Sequence, residues 1–138
     1  MPTRKSDAIW NGELKNGNGT MKFGSGAYEG AYTFASRWED ANGTNPEELI
    51  GAALAGCFSM ALANGLAKEG HPSDHVETTA EVTLEGPNIT GIHLTSQAKV
   101  SGIDEDTFQN VADATKSGCP VSKVLTGTKI SLDATLLK

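Results

Sequence analysis

The sequence predicts an α+β fold, because one long uncharged helix, one hairpin with a period of two and several short strands share the chain. Its 138 residues are the usual length of one domain, so we expect a single domain over 1–138. Hydrophobic residues make up 38% of the chain and sixteen glycines add to them, which brings the composition near the globular norm. A folded core is therefore expected, and a wholly disordered chain is excluded.

A cluster of short strands is predicted in the glycine-rich first quarter of the chain. Apolar and polar residues alternate irregularly there, and asparagine and glycine mark the turns between the runs. The predicted strands are Ala8–Leu14, Thr20–Phe23 and Ala31–Ala35, with turns at Asn16–Gly19 and Gly24–Gly26.

A long helix follows, and its start is strongly marked. Asn45 suits the N-cap, Pro46 suits the first helical position, and Glu48 falls where a capping box has its acidic residue. From Leu49 to Ala67 the helix carries no formal charge, a length that would permit a membrane span. Its many alanines and glycines instead favour the central, buried helix of a soluble domain.

A hairpin, a pair of helices and a last strand complete the expected fold. Apolar and polar residues alternate with a period of two in Val76–Glu85 and Ile92–Ser101, on either side of a turn at Gly86–Asn88. This pattern predicts a hairpin with one solvent-exposed face. The next helix begins near Asp104, and Gly118 is expected to end it as a C′ residue. The final elements are a short helix from Cys119-Pro120 and a strand in which Ile130, Leu132, Ala134 and Leu136 alternate.

Charge and cysteine content exclude several functions. Eleven basic and seventeen acidic residues give a net charge of −6, so the chain has no basic stripe for nucleic acid. Two cysteines are too few for a disulfide scaffold or a zinc site of four thiolates, but enough for one redox pair. No apolar run follows the polar N-terminus, and a secretory signal is therefore not expected.

The two cysteines occupy different settings. Cys57 lies in the middle of the apolar helix, where burial alone would raise its pKa and leave an inert hydrophobe. Cys119 precedes Pro120 at a helix start, where backbone N–H groups favour a thiolate. The alternative for Cys119 is a capping residue beside a turn.

A buried thiolate needs a fixed cation, and Arg37 is the candidate. The other arginine, Arg4, lies in the N-terminal tail. Arg37 would lower the pKa of Cys57 and hold an oxygen anion, unless it is a solvated charge at a strand end. A buried arginine needs a carboxylate, which Glu47 or Glu48 would supply in addition to capping the helix.

Helical spacing limits what Glu47 can reach. It precedes Cys57 by ten residues, or about 15 Å of helix rise. Glu47 is therefore expected to contact Arg37 or to serve a site shared between subunits, and not to touch the sulfur on its own helix.

Two segments around the cysteines carry a family resemblance. With Gly43–Ala61 as the first motif and Gly118–Ser122 as the second, the chain resembles the OsmC/Ohr family of thiol-dependent peroxidases over essentially its whole length. Arg37, directly upstream of the long helix, is similar to the arginine of the OsmC branch (osmotically inducible protein C-like). The Ohr branch carries its arginine nearer the N-terminus. Trp38 stands where the family leads us to expect phenylalanine.

The resemblance implies a fold and a site. The fold would be OsmC/Ohr-like, with antiparallel sheets around a long central buried helix, in an intertwined homodimer with two active sites at the subunit interface. Cys57 would be the peroxidatic cysteine and Cys119 the resolving one, joined in a Cys57–Cys119 disulfide after turnover. Arg37 and Glu47 would be the polar pair that activates and orients the peroxide.

The resemblance also implies an activity and its partners. The substrate would be an organic hydroperoxide, with hydrogen peroxide reduced more weakly, and the reductant a small or protein-bound dithiol of the lipoyl type. No metal, haem, flavin or other cofactor is expected, and neither nucleic acid nor membrane is a partner. The setting would be cytoplasmic defence against oxidative and osmotic stress.

Three alternatives remain open at this point. The same cysteines would serve a non-catalytic redox sensor that signals to a partner. A metal site over His71–His75 is disfavoured because Pro72 breaks helical spacing in an exposed loop. Cysteine hydrolase chemistry needs a histidine beside the thiol, and nothing in the sequence gives His71, His75 or His93 that position.

Overall fold

The computed structural model describes residues 1–138 as an α+β fold with six strands and four helices, which confirms the predicted fold class. The chain forms two compact units, residues 1–49 and residues 50–138. The strands are β1 (Ser6–Asn11), β2 (Asn18–Phe23), β3 (Glu29–Tyr32), β4 (Ser73–Glu85), β5 (Asn88–Val100) and β6 (Ile130–Leu137). The helices are α1 (Phe34–Trp38), α2 (Pro46–Lys68), α3 (Glu105–Gly118) and α4 (Pro120–Val124).

Residues 1–49 hold an antiparallel sheet in the order β1-β2-β3, as the cluster of predicted strands requires. Trp10 on β1 and Tyr32 on β3 pack over β2, with ring centroids 5.2 Å apart. A Cβ at Gly19 would lie 2.7 Å from the Tyr32 ring and 2.8 Å from the Trp10 ring, so only glycine leaves room for both. The prediction that the first strand reaches Leu14 is wrong, because the chain leaves the sheet after Asn11.

A short helix replaces the end of the third predicted strand. Residues 34–38 form α1, whereas the sequence indicated a strand over 31–35 with Arg37 just beyond it. The cause is a reciprocal cap: the Thr33 hydroxyl accepts from the Ser36 amide at 3.1 Å, and the Ser36 hydroxyl accepts from the Thr33 amide at 2.8 Å. Arg37 therefore projects from a helix and not from a strand end.

The long helix α2 begins where the sequence predicts. Asn45 Oδ1 accepts the Glu48 amide at 2.8 Å, and Pro46 is the first helical residue. The Glu48 carboxylate does not complete a capping box with Asn45. It accepts a hydrogen bond from the Thr44 hydroxyl at 2.8 Å instead.

One face of α2 is buried in the core of residues 50–138. Leu54, Phe58, Leu62 and Leu66 follow one another every four residues and are fully buried. Each contributes about 2 kcal/mol relative to an exposed side chain. On the other face the exposed residues are Ala52, Ala53, Gly56, Met60 and Asn64. The central buried helix is thus confirmed along one face, and a strip of mostly small residues stays exposed in the single chain.

Residues 50–138 also hold a sheet in the order β4-β5-β6. β4 and β5 form the predicted antiparallel hairpin, but β6 pairs with β5 in parallel, so this sheet is mixed and not antiparallel throughout as expected. A parallel pair needs a crossover connection, which α3 and α4 supply. The inward side chains of β5 are buried and alternate with side chains that are more exposed to solvent, as the period of two predicts. The inward set is Ile92, Leu94, Ser96, Ala98 and Val100.

The junction between α3 and α4 places the second cysteine. Asp104 Oδ2 accepts the Thr107 amide at 3.0 Å, which confirms the predicted start of α3. The prediction that Gly118 ends the helix as a C′ residue is wrong, because Gly118 is still helical and Cys119 is the C-cap with an extended backbone. Cys119 is also the N-cap of α4, with proline at the first position as predicted.

The length and composition of α2 would also suit a membrane span. The side chains along one face, however, are sealed in a protein core, and the opposite face carries small and polar residues. α2 is therefore the core helix of a soluble fold.

Candidate active site

An ion pair joins α1 to the first turn of α2 within residues 1–49. The Nη2 of Arg37 lies 2.6 Å from Oε1 of Glu47, and its Nε donates to both carboxylate oxygens at 3.1 and 3.2 Å. The Glu47 side chain is only 8% exposed, against 32% for Arg37. This geometry selects Glu47, and not Glu48, as the partner of Arg37.

Further contacts hold the arginine and the helix that carries it. Its guanidinium carbon lies 4.6 Å from the centre of the Trp38 ring, within the range of a cation–π contact. Asn45 Nδ2 donates to the Ser36 carbonyl at 3.0 Å, and the Ser36 hydroxyl donates to the Thr44 carbonyl at 2.7 Å. α1 is therefore tied to the start of α2 on both sides of the ion pair.

The same unit holds an aromatic cavity beside Arg37. Its volume is about 170 Å³. The lining residues are Trp10, Leu14, Tyr32, Thr33, Phe34, Arg37 and Trp38. Arg37 thus contributes both to the ion pair and to the wall of a largely apolar space.

The two cysteines meet within residues 50–138. Cys57, in the middle of α2, is partly exposed, whereas Cys119 is 1% exposed. Both are free thiols, and they lie close enough for each to influence the ionisation of the other. The backbone of Cys119 is held from both helices, since its amide donates to the Thr115 carbonyl and its carbonyl accepts the Lys123 amide, each at 3.1 Å.

The surroundings shift the two thiols in opposite directions. Burial raises the pKa of Cys57, and the neighbouring Cys119 raises it further, although a backbone hydrogen bond with Val121 acts the other way. Burial also opposes ionisation of Cys119, but hydrogen bonds with Ser122, Cys57 and Val121 outweigh it and hold the Cys119 pKa below its usual value. Within this unit alone, Cys119 is therefore the more acidic thiol of the pair.

Ser122 is a residue of this site that sequence reasoning did not single out. The Cys119 thiol donates to its hydroxyl at 3.2 Å, and the hydroxyl donates to the Cys119 carbonyl at 2.8 Å. Its sequence signal is positional: it stands three residues after the N-cap of α4, where a polar side chain reaches back to the cap residue.

Neither thiol is hydrogen-bonded to a histidine. His93 bonds Ser131 at 2.6 Å and Asp133 at 3.1 Å, both on β6. His75 is part of β4, and not of an exposed loop as the sequence indicated. No group of three or more His, Cys, Asp or Glu side chains is arranged to hold a metal ion.

Residues 39–133 match the family model described as "OsmC-like protein". That span is well over half of the chain. The chain belongs to the OsmC-like family. The resemblance drawn from the two cysteine motifs is thereby confirmed.

Named relatives of this OsmC-like protein fall into two groups. It is 46% identical over 135 residues to peroxiredoxin OsmC of Escherichia coli, covering 94% of each chain. It is 33% identical over 92 residues to the organic hydroperoxide resistance protein OhrB of Bacillus subtilis, covering 64% of this chain and 67% of the relative. The greater identity and coverage agree with the OsmC branch that the position of Arg37 indicates.

Solved structures share the fold at low sequence identity. An OsmC-like protein from Mycoplasma pneumoniae superposes with a TM-score of 0.78 at 15% identity, covering 99% of each chain. An organic hydroperoxide resistance protein from Elizabethkingia anophelis gives 0.74 at 22% identity, covering 99% of this chain and 98% of that one. These likenesses bear on the fold alone.

Proposed function

We propose that this OsmC-like protein is a cysteine-based peroxidase that reduces organic hydroperoxides, and hydrogen peroxide more weakly. The observation that carries the proposal is the neighbouring pair of free thiols, Cys57 and Cys119, one partly exposed and one buried. Relatives named peroxiredoxin OsmC and organic hydroperoxide resistance protein support a peroxidase-type role.

In the proposed reaction Cys57 is the peroxidatic residue, because it is the thiol that solvent reaches. Its thiolate attacks the distal oxygen of the hydroperoxide, the O–O bond breaks, and the alkoxide leaves and takes up a proton as alcohol. Cys57 becomes a sulfenic acid. Cys119 then attacks that sulfur, water is released, and a Cys57–Cys119 disulfide remains. A small or protein-bound dithiol of the lipoyl type restores both thiols by exchange.

The ion pair of Arg37 and Glu47 is proposed to serve the peroxide. The guanidinium would stabilise both the Cys57 thiolate and the developing alkoxide, and Glu47 would hold it in place. Such a cation is needed, because burial raises the pKa of Cys57.

Helical spacing favours an arginine from a second protomer. Glu47 precedes Cys57 by ten residues of α2, which is about 15 Å of rise, and Arg37 is bonded to Glu47. The pair would therefore reach the cysteine of a partner chain more readily than its own. We accordingly propose a homodimer with two sites, each built from both chains.

The exposed strip of α2 supports the homodimer. Alanines and glycine leave its backbone close to the surface, and Met60 is 78% exposed. A second copy packed on this strip would complete the burial of the helix.

The aromatic cavity supports an organic substrate. An apolar cavity of about 150 Å³ in another protein admits benzene, so the space beside Arg37 suits an aromatic or branched alkyl group. The hydroperoxide oxygens would then lie at the guanidinium. The expected setting is cytoplasmic defence against oxidative and osmotic stress.

A dithiol-coupled assay that compares cumene hydroperoxide with hydrogen peroxide tests the proposal. The organic peroxide should be consumed faster, and Cys57→Ser should abolish turnover. Without reductant, one equivalent of peroxide per subunit should convert both thiols into one Cys57–Cys119 bridge, visible by mass spectrometry. Cys119→Ser should instead leave Cys57 to overoxidise. Oxidised wild type without the bridge would contradict the two-cysteine mechanism.

A further inference from the structure

Ser122 occupies an unusual position beside the buried thiol. It is 3% exposed, and its single hydroxyl lies within hydrogen-bonding distance of two atoms of Cys119. Those atoms are the sulfur, at 3.2 Å, and the carbonyl oxygen, at 2.8 Å. The carbonyl already accepts the Lys123 amide at 3.1 Å, so it does not depend on the serine alone.

A serine hydroxyl has one proton to give and lone pairs to receive. While Cys119 is a thiol, its S–H donates to Ser122 and the serine donates to the carbonyl. Once Cys119 is a thiolate, the sulfur has no proton left to donate. The hydroxyl can then turn about its C–O bond and donate to the sulfur, while the Lys123 amide keeps the carbonyl bonded.

We propose that Ser122 is a positioning residue whose hydroxyl turns from the Cys119 carbonyl to the Cys119 sulfur, stabilising the resolving thiolate as it attacks the oxidised Cys57. This inference rests on the proposed peroxidase function. In the step concerned, the Cys119 sulfur forms the S–S bond with Cys57, the S–O bond of the sulfenic acid breaks, and the departing hydroxide is protonated to water. The Cys57 sulfur is reduced, the Cys119 sulfur is oxidised, and no further reactant is needed.

Other contacts agree with a stabilised Cys119 thiolate. The hydrogen bonds of Ser122 are the largest influences that lower the pKa of Cys119 against the cost of burial. Cys57 on α2 and the backbone of Val121 act in the same direction. When the external dithiol later opens the disulfide, a stabilised Cys119 is also the better leaving group.

The first test compares Ser122→Ala with wild type after mixing with one equivalent of cumene hydroperoxide. Dimedone trapping follows the sulfenic acid at Cys57, and mass spectrometry follows the disulfide. Formation of the sulfenic acid should keep its rate, whereas its conversion to disulfide should slow about tenfold, the value of one hydrogen bond to a charged group. The pH profile of that second step should move upward by about one unit.

Ser96→Ala is the matched control, because Ser96 is a buried serine that hydrogen-bonds Thr78 on the neighbouring strand. It should leave both steps and the pH profile unchanged. A second pair, Ser122→Thr and Ser122→Val, has equal shape and differs in the hydroxyl alone. The threonine should restore resolution and its pH profile, and the valine should not.

The possible outcomes distinguish the role of Ser122 from the proposed peroxidase function on which it rests. If Ser122→Ala or Ser122→Val resolves at the wild-type rate and pH, the positioning role is overturned and the peroxidase stands. Equal slowing of both chemical steps would also overturn it, since that result indicates a structural disturbance. If wild type itself forms neither sulfenic acid nor disulfide, the proposed function fails.

Discussion

The guanidinium of Arg37 donates hydrogen bonds to both carboxylate oxygens of Glu47 at distances from 2.6 to 3.2 Å. These bonds connect the short helix α1 to the first turn of α2. The carboxylate is 8% exposed, so little water can replace the arginine if it is removed. The pair therefore bears on stability as well as on the proposed reaction.

Replacing Arg37 by alanine should cost about 2 kcal/mol of unfolding free energy, less than for a fully buried pair because the arginine is 32% exposed. The double variant Arg37→Ala/Glu47→Gln should recover most of it, since no unpaired charge is then buried. Urea unfolding measures the free energy of unfolding of the single and the double variant. The reaction of Cys57 with cumene hydroperoxide should fall about a hundredfold in both variants. An Arg37→Ala protein as stable as wild type would contradict this account of the pair.

Mixed dimers test whether Arg37 serves a partner chain. Chains carrying Arg37→Ala and chains carrying Cys57→Ser should each be inactive alone. In a mixed dimer purified through two different tags, the arginine of one chain and the cysteine of the other rebuild one site. We expect half the wild-type peroxidase rate per dimer. Mixed dimers as inactive as their parents would assign the arginine to the cysteine of its own chain.

The stability of the reduced protein should depend on the two thiols in opposite ways. Despite burial, hydrogen bonds hold the pKa of Cys119 below 9.0, so its stabilising contribution is complete above that value and is lost as the pH falls through the lowered pKa. Burial raises the pKa of Cys57, so its contribution is present below 9.0 and is lost as the pH climbs toward the raised pKa.

Denaturant unfolding under reducing conditions measures this dependence. As the pH rises toward 9.0, wild type should gain stability relative to Cys119→Ser, and above 9.0 it should lose stability relative to Cys57→Ser. Parallel curves for the three proteins across this range would mean that neither thiol is shifted.

Local signals were enough to predict some elements of this fold. Asn45 and Pro46 mark the start of α2 because a cap and a fixed φ act within one turn. The sequence does not predict the short helix α1, since Ser36 takes the capping-box position that glutamate or glutamine usually fills. The glycine at 118 predicts a C′ residue, but α3 continues through it. The helix ends at Cys119, which has an extended backbone and is followed by proline.

Contacts between elements were harder to foresee. Glu47 and Glu48 are equivalent as helix-start acids, and only the packing of α1 on the α2 start decides which one meets Arg37. The parallel pairing of β6 depends on the path of two helices and not on its own alternating residues. The meeting of Cys57 with Cys119 was expected from family resemblance, not from spacing, because no local rule relates positions so far apart.

The exposed strip of α2 leads to a prediction about assembly. Met60, 78% exposed in the single chain, should become buried in the proposed homodimer, so Met60→Glu would place a charge in an apolar interface. We expect a monomer by light scattering with wild-type secondary structure by circular dichroism. Peroxidase activity should fall with the dimer, since each site is proposed to need both chains. Gln97→Glu, on the exposed face of β5, is the matched control and should remain dimeric and active. A dimeric, active Met60→Glu protein would exclude this strip as the interface.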